Sequence, residues 1–190
     1  MKVLCVIDMQ NDFVFGSLGT KEAQDIVPFV CQKVRQCYEN ENYGIVYTLD
    51  RHDEQYEQTQ EGRLLPVRHC IKYTSGADLV DDLMDEMERY MKTSPKVYKD
   101  RLVLKSSFGI LNWEKHMKTV LRDGMLESIE LIGVCTDICV VSNALILKAM
   151  YPEVPITVDA RGCAGTTPEK HQAALSVMES CQIKIVRDEE

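Results

Sequence analysis

Apolar residues recur along this chain in two rhythms. Short, mainly apolar strand-like segments cover residues 3–7, 44–49, 101–104, 129–134, 154–158 and 183–186, each the length of a buried strand and too short for a helix. Between these runs, apolar positions return every three or four residues. Ile26, Phe29, Val30 and Val34 form one stripe, and Leu79, Leu83, Met84, Met87 and Met91 a second. A third runs from Asp137 through Ala144, Leu147 and Met150, and a fourth places Ala174, Leu175 and Met178 after Pro168. That spacing predicts amphipathic helices. Thr20, Ser75 or Asp78, Thr136 and Thr167 stand where helix N-caps belong, and Pro168 suits a first helical turn. Strands apolar on both faces, alternating with helices, predict an α/β fold. The expected form is a three-layer α/β/α arrangement around a six-stranded, mainly parallel, Rossmann-like sheet. No repeat, low-complexity tract or linker interrupts the pattern, so residues 1–190 read as a single domain.

Ligands of such sheets bind beyond the carboxyl ends of the strands. Asp8 follows the first apolar run, Asp50 the second, Lys105 the third and Asp159 the fifth, while the fourth leads into Cys135, Thr136 and Cys139. Any one polar residue at a strand end has ordinary explanations. A carboxylate, an ammonium and a thiol converging on one edge form a reactive set. Cys139 is predicted in the first turn of a helix, where the helix dipole favours the thiolate of a group whose usual pKa is about 8.5. Asp8 would accept the thiol proton, and Lys105 would hold Asp8 ionised and favour the thiolate. The backbone N–H groups of Cys135 and Cys139 would face an oxyanion. His116 and His171 fall in helical stretches and read as surface residues, so a Cys–His pair is not expected.

A second set follows the second strand: Asp50, His52, Glu61 and His69. An Asp-x-His pair puts two side chains on the same side of an extended chain. A carboxylate with two imidazoles, leaving coordination positions open, suits one divalent metal ion, zinc first and iron or manganese as alternatives.

Composition narrows the reading. The net charge is −8, which disfavours a nucleic-acid partner, since phosphate binding needs a basic face. Eight cysteines invite a disulfide framework. A core-rich chain of this length needs no staples, however, and Cys5, Cys135 and Cys163 lie in or beside apolar runs, where free cysteine packs as a small hydrophobe. The first apolar run is broken by Asp8, too early for a signal peptide, and no later run is long enough to span a membrane. The reducing cytoplasm is the expected location, and no organic cofactor is implied.

These residues carry a family resemblance. Residues 6–13 read Val-Ile-Asp-Met-Gln-Asn-Asp-Phe, residues 105–108 Lys-Ser-Ser-Phe, and residues 133–140 Gly-Val-Cys-Thr-Asp-Ile-Cys-Val. In order and spacing they resemble the motifs of the isochorismatase-like cysteine hydrolase superfamily, over nearly the whole chain. The resemblance implies a triad of Asp8, Lys105 and Cys139, and a cis peptide bond before Cys135 that aims its N–H into the oxyanion hole. Within the superfamily, Asp50, His52 and His69 are similar to the metal site of the nicotinamidase branch, with Glu61 as a further ligand. The implied substrate is then a small amide, nicotinamide, with the ring nitrogen on the metal and the carboxamide over Cys139. Phe13 and Phe108 are candidate ring-packing residues. Leu65 stands where many relatives have tryptophan, which alters the pocket wall. One extra residue separates Pro66 from His69, and residues 158–164 follow the family pattern only loosely. The nearest rival is an amidohydrolase of the same superfamily acting on a carbamoyl or ureido compound. Isochorismatase-type vinyl ether hydrolysis has no need of the Asp50, His52 and His69 set, and a non-catalytic binding relative has no need of an intact triad. Homo-oligomers are common for this kind of domain, although the sequence carries no interface signature.

Overall fold

The structure, a computed structural model, describes residues 1–92, 102–122 and 124–187. Its centre is a sheet of six strands, all parallel: β1 (Lys2–Ile7), β2 (Tyr43–Asp50), β3 (Leu102–Lys105), β4 (Ser128–Val134), β5 (Ile156–Ala164) and β6 (Lys184–Val186). The spatial order is β3-β2-β1-β4-β5-β6, so the chain reverses direction of travel across the sheet between β1 and β4. That switch opens a crevice at the carboxyl edge.

Helices cover both faces because β1 is apolar on both. Leu4 and Val6 face a core shared with α3 (Val27–Tyr38) and α5 (Asp81–Met91), through Val30, Val34, Leu83 and Met87. Val3, Cys5 and Ile7 face a second core. There Trp113 and Met117 of α6 (Trp113–Leu121), Leu147 of α7 (Val141–Met150) and Leu175 of α8 (Pro168–Ser180) close over the sheet. Three short helices complete the set: α1 (Asn11–Val14), α2 (Lys21–Asp25) and α4 (Gln60–Leu64). Among the described residues, no helix is long and apolar enough to cross a membrane. All eight cysteines are free, with Cys5 and Cys163 buried as the apolar runs suggest.

The predicted three-layer arrangement stands, with three local corrections. The fifth strand runs to Ala164 rather than ending at residue 158. Asp159 therefore lies inside β5, salt-bridged to Arg161, and not on the carboxyl edge. Periodicity missed the extension because polar Asp159 and Arg161 interrupt the apolar run, although their charges cancel. Thr20 and Thr167 do cap helices, accepting from Ala23 N and Lys170 N. Ser75 and Asp78 do not cap α5, whose N-cap position is Val80. Thr136 does not cap a helix either; it opens a wide turn of π-helical form, Thr136–Val140, that runs into α7. Residue 101, the first of the predicted third strand, and the Met91 side chain lie outside the described residues.

Candidate active site

Neighbouring strands bring the charged groups together by register. Ile7 is level with Thr48, and Asp50 with Lys105. Asp8 follows β1 with φ at 48°, a left-handed conformation that non-glycine residues seldom adopt. Its carboxylate is held by Thr48 Oγ1, which donates to Asp8 Oδ1 at 2.6 Å. Lys105 ends β3. Its Nζ lies 2.7 Å from Asp8 Oδ2, 3.5 Å from Asp50 Oδ1 and 3.4 Å from Cys139 Sγ. One ammonium therefore contacts both carboxylates and the thiol.

The wide turn after β4 presents the sulfur. Cys135 O accepts from Ile138 N at 3.0 Å and Val140 N at 3.1 Å, which places Cys139 above the sheet edge. The Val134–Cys135 peptide bond is cis, as the resemblance implies. Gly133 is required just before it. With φ at 120°, a Cβ there would sit 2.1 Å from Ile7 O, a contact only glycine avoids. Asn143, one turn beyond Cys139 and wholly buried, fixes the turn from behind. Its Nδ2 donates to Cys139 O at 2.8 Å and Phe108 O at 3.1 Å. Its Oδ1 accepts from Ile110 N at 3.0 Å and Trp113 Nε1 at 3.1 Å. All four hydrogen-bonding positions of this amide are thus used.

Burial dominates the electrostatics. It pushes the Asp8 carboxyl up, against the pull of Lys105. It also pushes the Cys139 thiol well above the ordinary thiol range, and the Asp8 carboxylate adds to that rise while Lys105 opposes it. For Lys105, burial acts downward, but Asp8, Cys139 and Asp50 outweigh it and keep the ammonium charged. Removing the sulfur from water thus acts against the thiolate-favouring effect expected of a helix terminus, and is the larger of the two. A buried thiol stands beside a carboxylate whose basicity burial raises.

Asp50, His52, Glu61 and His69 also converge, with ligand atoms all within 4.8 Å of one another. Gln10 clamps the end of β2, accepting from Asp50 N at 2.7 Å and donating to Asp50 O at 2.9 Å. His52 Nε2 is 2.9 Å from Asp50 Oδ2 and 3.8 Å from Glu61 Oε1. His69 Nε2 is 3.6 Å and 3.8 Å from the same two oxygens. His69 Nδ1 lies 2.8 Å from Val67 O. A carbonyl can only accept, so Nδ1 carries the proton and Nε2 turns its lone pair to the cluster. Burial pushes the Asp50 carboxyl up, but hydrogen bonds from His52 and His69, with Lys105, hold it well below the carboxylate range. Two imidazole nitrogens and two carboxylates around one point are a donor set that suits a divalent transition metal.

Both clusters open on one cavity of about 390 Å³. Phe13, Leu65 and Phe108 line it, with Asp50, Glu61, His69, Cys135 and Cys139. Leu18, Thr20, Ile138, Thr166 and Lys170 complete the wall; none of these was predicted as a site residue. Gln10 and Asn143 were missed as well. For Asn143 the signal was an amide within an apolar helix stripe, and Gln10 lay inside the residue 6–13 motif without a role assigned to it. His171 is not a free surface residue: half-buried, it pairs with Thr136, its Nδ1 2.8 Å from Thr136 Oγ1 at the start of the Thr136–Val140 turn. His116 is half-buried too, edge-on to Trp113.

A thiol, a carboxylate and an ammonium meet at the switch point of a parallel sheet, beside a cavity walled by aromatic and aliphatic side chains. The chain belongs to the isochorismatase family: the isochorismatase domain matches residues 2–190. Its likeness within that family is to nicotinamidases. The nicotinamidase of Saccharomyces cerevisiae is 25% identical, with 98% of this chain and 99% of that protein covered. A probable inactive nicotinamidase of Arabidopsis thaliana is 28% identical, covering 95% of this chain and 89% of that one. The nicotinamidase/pyrazinamidase structure of Bacillus subtilis superposes with a TM-score of 0.82 at 26% identity, covering 98% and 99% of the two chains. A pyrazinamidase of Pyrococcus horikoshii, solved in complex with zinc, superposes at 0.73 with 28% identity and 98% coverage of each chain.

Proposed function

We propose that this protein is a metal-dependent amidohydrolase that converts nicotinamide to nicotinate and ammonia through a thioester on Cys139. The observation that carries the reading is Lys105, whose ammonium contacts Asp8, Asp50 and Cys139, the last two lining one cavity with Glu61 and His69. A divalent ion held by Asp50, His52, Glu61 and His69, zinc first among candidates, would supply an open coordination position for a heteroaromatic nitrogen. The chain's own groups do the rest. Phe13, Leu65 and Phe108 hold the ring and exclude water. Asp8 takes the proton from Cys139 as the sulfur attacks the carboxamide carbon. The backbone N–H groups of Cys135 and Cys139 receive the negative oxygen. Asp8 hands its proton to the departing nitrogen, and the C–N bond breaks. Water then attacks the thioester while Asp8 accepts its proton, and the thiol re-forms. Lys105 remains charged throughout and offsets each negative charge as it appears.

The test is ammonia release from nicotinamide, with zinc supplied. Cys139→Ala should lower turnover by about 10⁴-fold or more without changing the fold. No release by the wild type sinks the nicotinamide assignment, and release from a ureido compound instead identifies the rival amidohydrolase. Release by Cys139→Ala at the wild-type rate removes the thioester.

A further inference from the structure

The two imidazoles of the metal-ligand set come from separate segments, and one backbone unit joins them. Cys70 directly follows His69, and its carbonyl accepts from His52 N at 3.0 Å. Cys70 is wholly buried. Its φ is 46°, a left-handed conformation that a residue with a side chain keeps only where its surroundings hold it. Its N–H is held by a carboxylate: Cys70 N donates to Asp12 Oδ2 at 2.7 Å. We propose that Asp12 is a positioning residue of the metal site, which fixes His69 and His52 together through the Cys70 backbone. The inference rests on the reading that Asp50, His52, Glu61 and His69 bind a divalent ion, and not on which amide is hydrolysed.

The hydrogen bond acts on both ligands. The Cys70 N–H belongs to the planar peptide unit that leaves His69, so holding that plane sets ψ of His69. The carbonyl of the same residue holds the His52 amide, and so the direction in which the His52 side chain leaves the backbone. Outer partners commonly orient a ligating imidazole through its second ring nitrogen. For His69 that nitrogen is engaged by Val67 O. Val67 thus sets the ring, while Asp12 sets the backbone that carries it. Phe13, the residue after Asp12, packs on the same imidazole with ring centroids 5.4 Å apart.

Asp12 is itself fixed. It lies half-buried in α1, which is tied to the segment around Cys70 from both ends. Asn11 N donates to Asp78 O and Asn11 Nδ2 to Ser75 O, each at 2.9 Å. Ser17 Oγ donates to Arg68 O at 3.0 Å. The carboxylate sits in a notch made by two glycines, since a Cβ at Gly76 or at Gly16 would overlap it. Among the described residues Asp12 pairs with no cation. Its charge strengthens a hydrogen bond to one backbone amide, the one between the two imidazole ligands.

Zinc affinity of the apo-protein, measured by competition with a fluorescent chelator, reads the proposal without using turnover. Asp12→Ala should weaken zinc binding about 10–100-fold. It should also change the visible bands of the Co²⁺-loaded protein, which report ligand geometry. Asp12→Asn keeps an acceptor for Cys70 N and should recover most of the affinity. Gly76→Ala leaves Asp12 in the chain but displaces its carboxylate. It should weaken zinc as Asp12→Ala does, and it carries the test if Asp12→Ala does not fold. An Asp12→Ala protein that is less stable to denaturant but keeps wild-type zinc affinity and the wild-type Co²⁺ spectrum overturns the proposal and leaves Asp12 a brace of its loop. So does an equal loss in Asp12→Asn, which would trace the effect to charge and not to the hydrogen bond. A wild-type protein that takes up no zinc overturns the metal reading itself, and this proposal with it.

Discussion

Two carboxylates in this molecule are almost equally buried, and they do different things. Asp8 is 0% and Asp159 1% exposed, and each faces a lysine. Asp159 lies inside β5, where Arg161 grips both its oxygens at 2.8 and 2.7 Å and Lys33 stands 3.6 Å away. Its cationic partners reach the surface, and the thiol that feels its charge, Cys163, is buried within β5 and does not line the cavity that holds Cys139. Asp8 sits beyond the end of its strand. Its ammonium partner is as buried as itself, and that ammonium also touches the Cys139 thiol. Burial and charge pairing are thus common to a structural ion cluster and a candidate catalytic one. What separates them is a third group with a proton to give and an open space in which a substrate can meet it.

The comparison can be broken by experiment. The largest effect is expected at Asp8. Asp8→Asn keeps the shape but removes the proton acceptor, and turnover of nicotinamide should fall by about 10²–10⁴-fold. Unchanged turnover would put Asp8 in the same structural category as Asp159. His52→Ala comes next. It should lower metal content, measured by elemental analysis after dialysis, and lower activity at limiting metal by at least about 10-fold. A variant that keeps its full metal content removes His52 as a ligand. At Asn143 the expected effect is smaller and of two kinds. Asn143→Asp turns a donor into an acceptor facing Cys139 O and Phe108 O, and should cost about 1–3 kcal/mol of stability. It should also lower kcat more than it raises KM, because the misplaced groups are the nucleophile turn and the pocket wall. A stability loss with kcat intact would leave Asn143 a purely structural brace. The smallest catalytic effect is expected at Asp159. Asp159→Asn should cost about 1–3 kcal/mol in denaturant unfolding and leave turnover within about twofold. A large loss of turnover there would erase the distinction between the two sites.

Much of the active-site side was legible before any coordinates. Apolar runs marked the strands, because a strand covered on both faces has no polar position to spare. Asp8, Asp50, Lys105 and Cys139 stood out because a charged or reactive group directly after such a run must emerge at the carboxyl edge of a parallel sheet. Asp50, His52, Glu61 and His69 were legible as a donor set from residue type alone. Other features needed three dimensions. Asp159 looked like another strand end until pairing with β4 and β6 carried its strand on to Ala164, since a charge can stay within a strand when its partner comes from two residues on and from another helix. The rise of the Cys139 thiol was not legible, because a helix terminus alone favours the thiolate, whereas burial depends on everything packed around the sulfur. Gln10 and Asn143 gain their roles from partners distant in sequence, Asp50 and Ala77 for the one and Phe108, Ile110 and Trp113 for the other. Sequence by itself determined which chemical groups this protein has to work with and the edge at which they emerge, because both follow from local pattern. Tertiary structure alone decided which of them touch and which are dry, because those properties belong to contacts between segments far apart in the chain.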